Sequence, residues 1–298
     1  MRMMVGKLSW QRRTFLIFNV IVLSLMALAC LLPFVHVLAV SLSSKIAVSA
    51  GEVLFWPVGL NLASYEYIAS QSQFFKSMGI TLQRVFLGTI INMTLTMLCA
   101  YPLSKERRDF RLRTVYVWYF VFTILFGGGL IPWYLTIKSL GLLDTLWGLV
   151  LPGAVPVFNV ILLLNFFRRL PRELDESARI DGAGEWRILT FIYLPLSLPA
   201  LATVTLFTVV GHWNAWFDGL ILMNNPKNYP LSSYLQTVIT MPDMSKFLDP
   251  ESTKLFTLIS DRTTRAAQVF VGMLPILMVY PFLQRFFIHG IVLGSVKE

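Results

Sequence analysis

Charged side chains are scarce in this 298-residue chain, with Asp, Glu, Lys and Arg together making up 14%, where an ordinary soluble domain carries about 25%. Hydrophobic residues account for 56% and mean hydropathy is +0.66, more apolar side chain than a water-facing fold can hide. Cysteine is almost missing. Cys30 and Cys99 both fall inside apolar runs, which excludes a disulfide framework or a zinc site and leaves them as packing residues. The three histidines, His36, His212 and His289, lie in separate regions and form no His-Glu-x-x-His or Cys/His spacing, so no metal site is expected. Gly6-Lys7 is followed by Leu8 and lacks the upstream glycine of a phosphate-binding loop. The chain is therefore expected to be no enzyme and to bind no cofactor itself. Acidic charge is the scarcer sign, giving a net charge of +9 and a pI near 9.7. The basic residues come in short clusters between apolar runs, the pattern of membrane loops and not of a nucleic-acid-binding face.

What the chain does have is long apolar runs. A helix needs about 20 apolar residues to cross the hydrocarbon core, where only internal hydrogen bonds can satisfy the backbone. Six stretches free of Asp, Glu, Lys and Arg are candidates: Phe15 to Ser44, Val85 to Ser104, Thr114 to Ile137, Thr145 to Phe167, Ile188 to Phe217 and Ala266 to Gln284. The first follows Arg2, Lys7, Arg12 and Arg13 and imitates a secretion signal, but its apolar run exceeds the 7 to 15 residues usual there, so it reads as a retained anchor. The runs are continuous, without the alternation of a membrane β-barrel. An all-α integral membrane protein of six kinked helices is the expected fold, with 1–14 as an N-terminal segment, 15–290 as the permeating domain and 291–298 as a tail.

Lys and Arg set the direction. One side collects the four before Thr14, five from Lys105 to Arg113, five from Arg168 to Arg187, and Arg285 and Lys297; the other collects nine, spread over longer loops. Short basic loops stay in the cytoplasm, so both termini are expected there, and the larger segments at about 45–84 and 223–265 are expected outside. Gly127, Gly128, Gly129 and Pro132 interrupt the third span, Pro152 and Pro156 the fourth, Pro195 and Pro199 the fifth, and Pro275 and Pro281 the sixth. Each proline removes a backbone donor, so kinks are expected; Pro and Gly are also simply commoner in membrane helices.

The segment 169–187 between spans four and five carries the most information. Pro171 suits a first helical turn, Glu173, Asp175 and Glu176 suit the positive end of the macrodipole, and Gly182 and Gly184 stop the helix. Leu174, Ala178 and Asp181 follow i, i+4, i+7 and suggest one small docking face.

Glu176-Ser177-Ala178, then Asp181-Gly182-Ala183, then Ile192-Tyr193-Leu194-Pro195 resemble the EAA signature of binding-protein-dependent ABC importer permeases. Ser177 stands where the name-giving pattern has alanine, and a small residue is kept. The resemblance implies a type I importer permease in which Glu176, Ser177, Ala178, Asp181, Gly182, Ala183, Leu194 and Pro195 belong to the coupling loop that fits a cytoplasmic ATPase. The tail from Gln284 to Gly290 and Gly294 to Lys297 is similar to that of the smaller, maltose-type (MalG-like) permeases. Gly211-His212-Trp213-Asn214 through Asp218 is similar to their Trp-Asn motif, and the chain is most similar to the LplC/YtcP-type branch, associated with oligosaccharides. That implies a second, MalF-like permease subunit, two copies of an ATPase carrying ATP and Mg, an external solute-binding protein and a sugar or oligosaccharide cargo. The place implied is the bacterial cytoplasmic (inner) membrane.

Polar residues within apolar spans are costly and mark candidate pathways. Asn92, Asn159 and Gln268 either line a path or bond between helices. Trp213 offers a flat apolar surface for stacking on sugar C–H groups, or it belongs to an interfacial belt; Asn214 lies beside it, and Asp218 suits a wet helix end. A stand-alone channel or secondary transporter is the rival class. It would need no ATPase, and an intramembrane chain of acidic residues would mark it; here Asp218 alone lies close to a span.

Overall fold

The computed structural model describes residues 10–240 and 260–295, and every regular element among them is helical. Two helices are long and apolar enough to cross a membrane unbroken, Trp10–Ser41 and Ser72–Ser104. Three further crossings are possible as bent pairs. Arg113–Leu125 and Leu130–Ser139 meet at 113°, Leu146–Gly153 and Val157–Phe167 at 46°, and Glu185–Leu196 and Leu198–Asn214 at 83°. The last helix, Asp261–Ser295, contains the sixth expected stretch.

The bends fall at the Gly and Pro clusters of spans three, four and five, and their causes differ. After Phe126 takes an extended conformation, Gly127–Gly129 leave the helix altogether and Gly129 adopts φ +83°, a backbone state that residues with a Cβ avoid. Pro156 caps Val157–Phe167 and Pro152 opens a 3-10 turn, so both break the fourth stretch without occupying a helix interior. The fifth begins with a π-helical turn, Leu189–Tyr193, and turns at Ser197 just before Pro199. Proline alone does not dictate a break: Pro33, Pro102, Pro275 and Pro281 all lie inside uninterrupted helices. The kinks expected in the sixth stretch are thus not helix breaks.

The chain divides into two compact units. The first, residues 1–71 with 238–271, is held in its described part by a small apolar cluster of Ala39, Ala47, Val48 and Val53. The hydroxyl of Ser41 bonds that of Tyr65 at 2.7 Å. Helix Trp10–Ser41 keeps its side chains exposed over most of its length, Leu25 and Met26 being 60% and 61% exposed, as suits lipid or a partner and not water.

The second unit, residues 72–237 with 272–298, is built around three helices, Ser72–Ser104, Val157–Phe167 and Leu198–Asn214, packed against one another. Their shared core holds Ala100, Leu103, Val160, Leu163, Phe167, Ile188 and Val204. Phe167 meets Tyr193 edge to face at 5.3 Å between ring centroids, and Tyr193 meets Tyr101 likewise at 5.0 Å. The second unit carries nearly all the chemistry described below.

Candidate functional site

A helix of nine residues, Arg172–Ile180, stands on the surface of the second unit with no buried residue. Pro171 precedes it, Glu173 and Asp175 occupy its first turn, and Arg179 its last, each charge complementing the macrodipole. Its end is a Schellman cap. The N–H of Ala183 donates to the carbonyl of Ala178 at 2.9 Å and that of Gly182 to the carbonyl of Arg179 at 3.0 Å, with Gly182 at φ +80°. Nothing lies within 4 Å of where a Cβ on Gly182 would sit, so backbone conformation and not space calls for glycine there.

One feature of the expected docking face is corrected. Ala178 does not share an outward face with Leu174 and Asp181: it is half-buried against the apolar core, as is Ala183. The cap brings both alanines to the bundle and turns Glu173, Glu176, Ser177 and Ile180 outward, with Ile180 85% exposed. Asp181 is exposed at the cap. Glu176 has one charged neighbour, Arg108 at 3.8 Å, and both side chains are more than 60% exposed, a pairing that water screens to little value. Leu194 packs on the core beside the π-helical turn, while Pro195 is exposed within the short turn that precedes the bend at Ser197.

Behind the helix lies a group of charges that the sequence did not disclose. Lys105, 8% exposed, reaches Asp175 at 2.8 Å and Glu185 at 3.9 Å. Arg179 meets the same two carboxylates, at 3.5 and 2.5 Å. Burial lowers the affinity of the Arg179 guanidinium for its proton, and the charges of Asp175 and Glu185 more than offset this, raising it above its usual range.

A second feature is a cleft of about 460 Å³ among the packed helices, mainly apolar in its lining, with Trp133, Leu149, Pro152, Pro156 and Phe207, and bordered by the polar side chains of Arg84, Asn92, Asn159, Thr208, His212 and Asp218. Asn92 Nδ2 lies 3.2 Å from His212 Nε2, and Asn159 Nδ2 donates to Thr208 Oγ1 at 3.1 Å. Arg84, 3% exposed, grips Asp218 with both terminal nitrogens and donates to the carbonyl of Ala215. Asn92 Oδ1 and Arg84 Nε are buried without a partner. The polar groups here are largely paired with one another, Asn92 with His212, Asn159 with Thr208 and Arg84 with Asp218, and so tie the helices together at the edge of the cleft.

Of the pathway residues expected from sequence, the cleft brings Asn92 and Asn159 together. Trp213 is buried outside its lining, 6% exposed, and Asn214 lines a shallower recess with Trp133 and Trp216. Gln268 is buried in the first unit. Arg84 is one of the nine cations that the sequence assigns to the longer loops, and its place immediately before the apolar run from Val85 is the available signal of its inward position. Among the described residues no group of His, Cys, Asp and Glu is arranged to hold a metal.

Residues 92–292 match the family model of the binding-protein-dependent transport system inner membrane component. The chain is 39% identical over 280 residues to the polygalacturonan/rhamnogalacturonan transport system permease protein YtcP of Bacillus subtilis (strain 168), covering 92% of this chain and 95% of that one. It is 38% identical over 285 residues to protein LplC of the same organism, covering 96% and 95%. A solved bacterial ABC transporter involved in the import of the acidic polysaccharide alginate superimposes with a TM-score of 0.84 at 32% identity, over 95% of this chain and 100% of that chain. The helical scaffold with its capped surface helix and the match across two thirds of the sequence place the chain in the binding-protein-dependent transport family, as a non-catalytic, membrane-embedded permease component of an ABC importer.

Proposed function

We propose that the chain carries an oligosaccharide inward by alternating access, with helix Arg172–Ile180 as the coupling helix on which a cytoplasmic ATPase seats. The observation that carries this reading is the capped helix itself: its small residues are spent on the bundle, and a carboxylate and an apolar tip, Glu176 and Ile180, are left facing away from it. The denser basic loops support a direction in which both termini and this helix lie on the cytoplasmic side, with six crossings between them. A MalF-like second permease completes the path, and the exposed apolar face of Trp10–Ser41 is suited to such a neighbour as well as to lipid. Two ATPase subunits supply the ATP and Mg, and a solute-binding protein delivers cargo to the segments at 45–84 and 223–265.

An oligosaccharide is favoured by the polygalacturonan and alginate systems to which the chain is similar. Glu176→Lys and Gly182→Pro are expected to insert at normal levels and to sever ATP hydrolysis from uptake. The measurement is uptake and ATPase rate in proteoliposomes holding the whole complex, and normal uptake in either variant would overturn the coupling role. Titrating the cognate binding protein with galacturonate, alginate and maltodextrin oligomers identifies the cargo; binding to none of them would overturn the sugar reading.

A further inference from the structure

We propose that Lys105 is a positioning residue for transport, the joint through which movement of helix Arg172–Ile180 reaches the membrane bundle. This rests on reading that helix as the ATPase seat and goes beyond it, because Lys105 lies outside the signature. Lys105 directly follows helix Ser72–Ser104 and its side chain is buried. From there the ammonium donates to Asp175 on the surface helix at 2.8 Å and to the hydroxyl of Tyr193 in the π-helical turn at 3.4 Å. Glu185, in the helix that leads into that turn, lies 3.9 Å away and accepts from the hydroxyl of Tyr101 at 2.6 Å. The same ammonium sits over the faces of both tyrosines, 4.4 Å from the Tyr101 centroid and 4.7 Å from that of Tyr193.

Four elements thus converge on one cation: the long helix, the surface helix, the segment after its cap, and the start of the bent fifth stretch. Lys105 and Arg179 balance Asp175 and Glu185, so the group is neutral as a unit and carries a surplus if one member is removed. A buried cation held by several directional partners cannot slide the way two greasy surfaces can. If the surface helix is displaced, Asp175 drags the ammonium or the pair parts; the first outcome moves the end of Ser72–Ser104, and the second is opposed by the burial of Lys105 and Asp175, 8% and 16% exposed. Glu176, by contrast, is exposed and meets the solvent-facing Arg108, so its contact with an ATPase would have to reach the bundle through other side chains of this helix.

The test uses the complete importer, purified with its ATPase and reconstituted with the binding protein. Lys105→Met keeps the stem and removes the charge; Asp175→Asn keeps the volume and guards against a variant that fails to fold. In both, the ATPase is expected to stay bound in normal amounts and to keep hydrolysing ATP, while sugar uptake per ATP falls at least tenfold. The double variant is expected to be no worse than Lys105→Met alone, because both changes break one link. Uptake that falls only in proportion to the amount of intact complex, or that stays unchanged in Lys105→Met with the ATPase bound, overturns the joint. Failure of the wild-type chain to retain any ATPase overturns the seat itself, and the joint with it.

Discussion

The imidazole of His212 occupies the space where a Cβ on Gly88 would project, so this glycine is what lets Leu198–Asn214 bring the ring to Asn92. Gly88→Ala is expected to push the ring away and break that bond, at an overpacking cost of about 1–3 kcal/mol. Gly79→Ala on the same helix meets nothing within 4 Å and is expected to be neutral or stabilising, since alanine is the better helix former by about 1 kcal/mol. Thermal melting of the purified complex separates the two, and equal melting points would refute the close approach. Arg84 and Asp218 make the other testable pair. Asp218→Asn leaves a buried guanidinium without its counter-charge, a loss of about 3–5 kcal/mol for such pairs, and adding Arg84→Met is expected to recover much of the melting temperature.

The helices themselves are largely legible in the sequence: the apolar runs fall on the long and bent helices, Pro171 and Gly182 bracket the surface helix, and the Gly and Pro clusters mark three bends. What stayed hidden has a common physical reason. Lys105, Asp175 and Glu185 are 70 and 80 positions apart in the chain, and Arg84 meets Asp218 across 134, so neither grouping leaves a local period. A charge count assigns every cation to a loop, and these two turned inward. Trp213 misled in the opposite way, since an indole reads as interfacial or stacking until packing shows it enclosed. The size of the bends was also beyond the pattern: three glycines signal a weak point, whereas the 113° turn depends on Gly129 at φ +83°. Replacing Gly127, Gly128 and Gly129 together by alanine is expected to favour a continuous helix by up to about 3 kcal/mol of propensity, opposed by the strain at position 129. Such a protein should still insert and should lose uptake; full uptake would show the turn to be dispensable.

For the whole molecule, the alternation of loops dense and sparse in Lys and Arg makes a prediction about sidedness. A reporter fused after residue 240 is expected outside the cell and one placed in 169–187 inside; the reverse pattern would invert the proposed direction of transport. The capped surface helix has a wider consequence. Ala178, Gly182 and Ala183 serve the architecture of the permease that carries them, so two such proteins can share these three letters and, if the helix seats an ATPase as proposed, still be driven by different motors. On the proposed coupling role, compatibility between a permease and a borrowed engine should be sought in the handful of side chains exposed on this helix, Glu173, Glu176, Ser177 and Ile180, which makes rewiring one importer to another's power supply a matter of a few surface letters and not of grafting a domain.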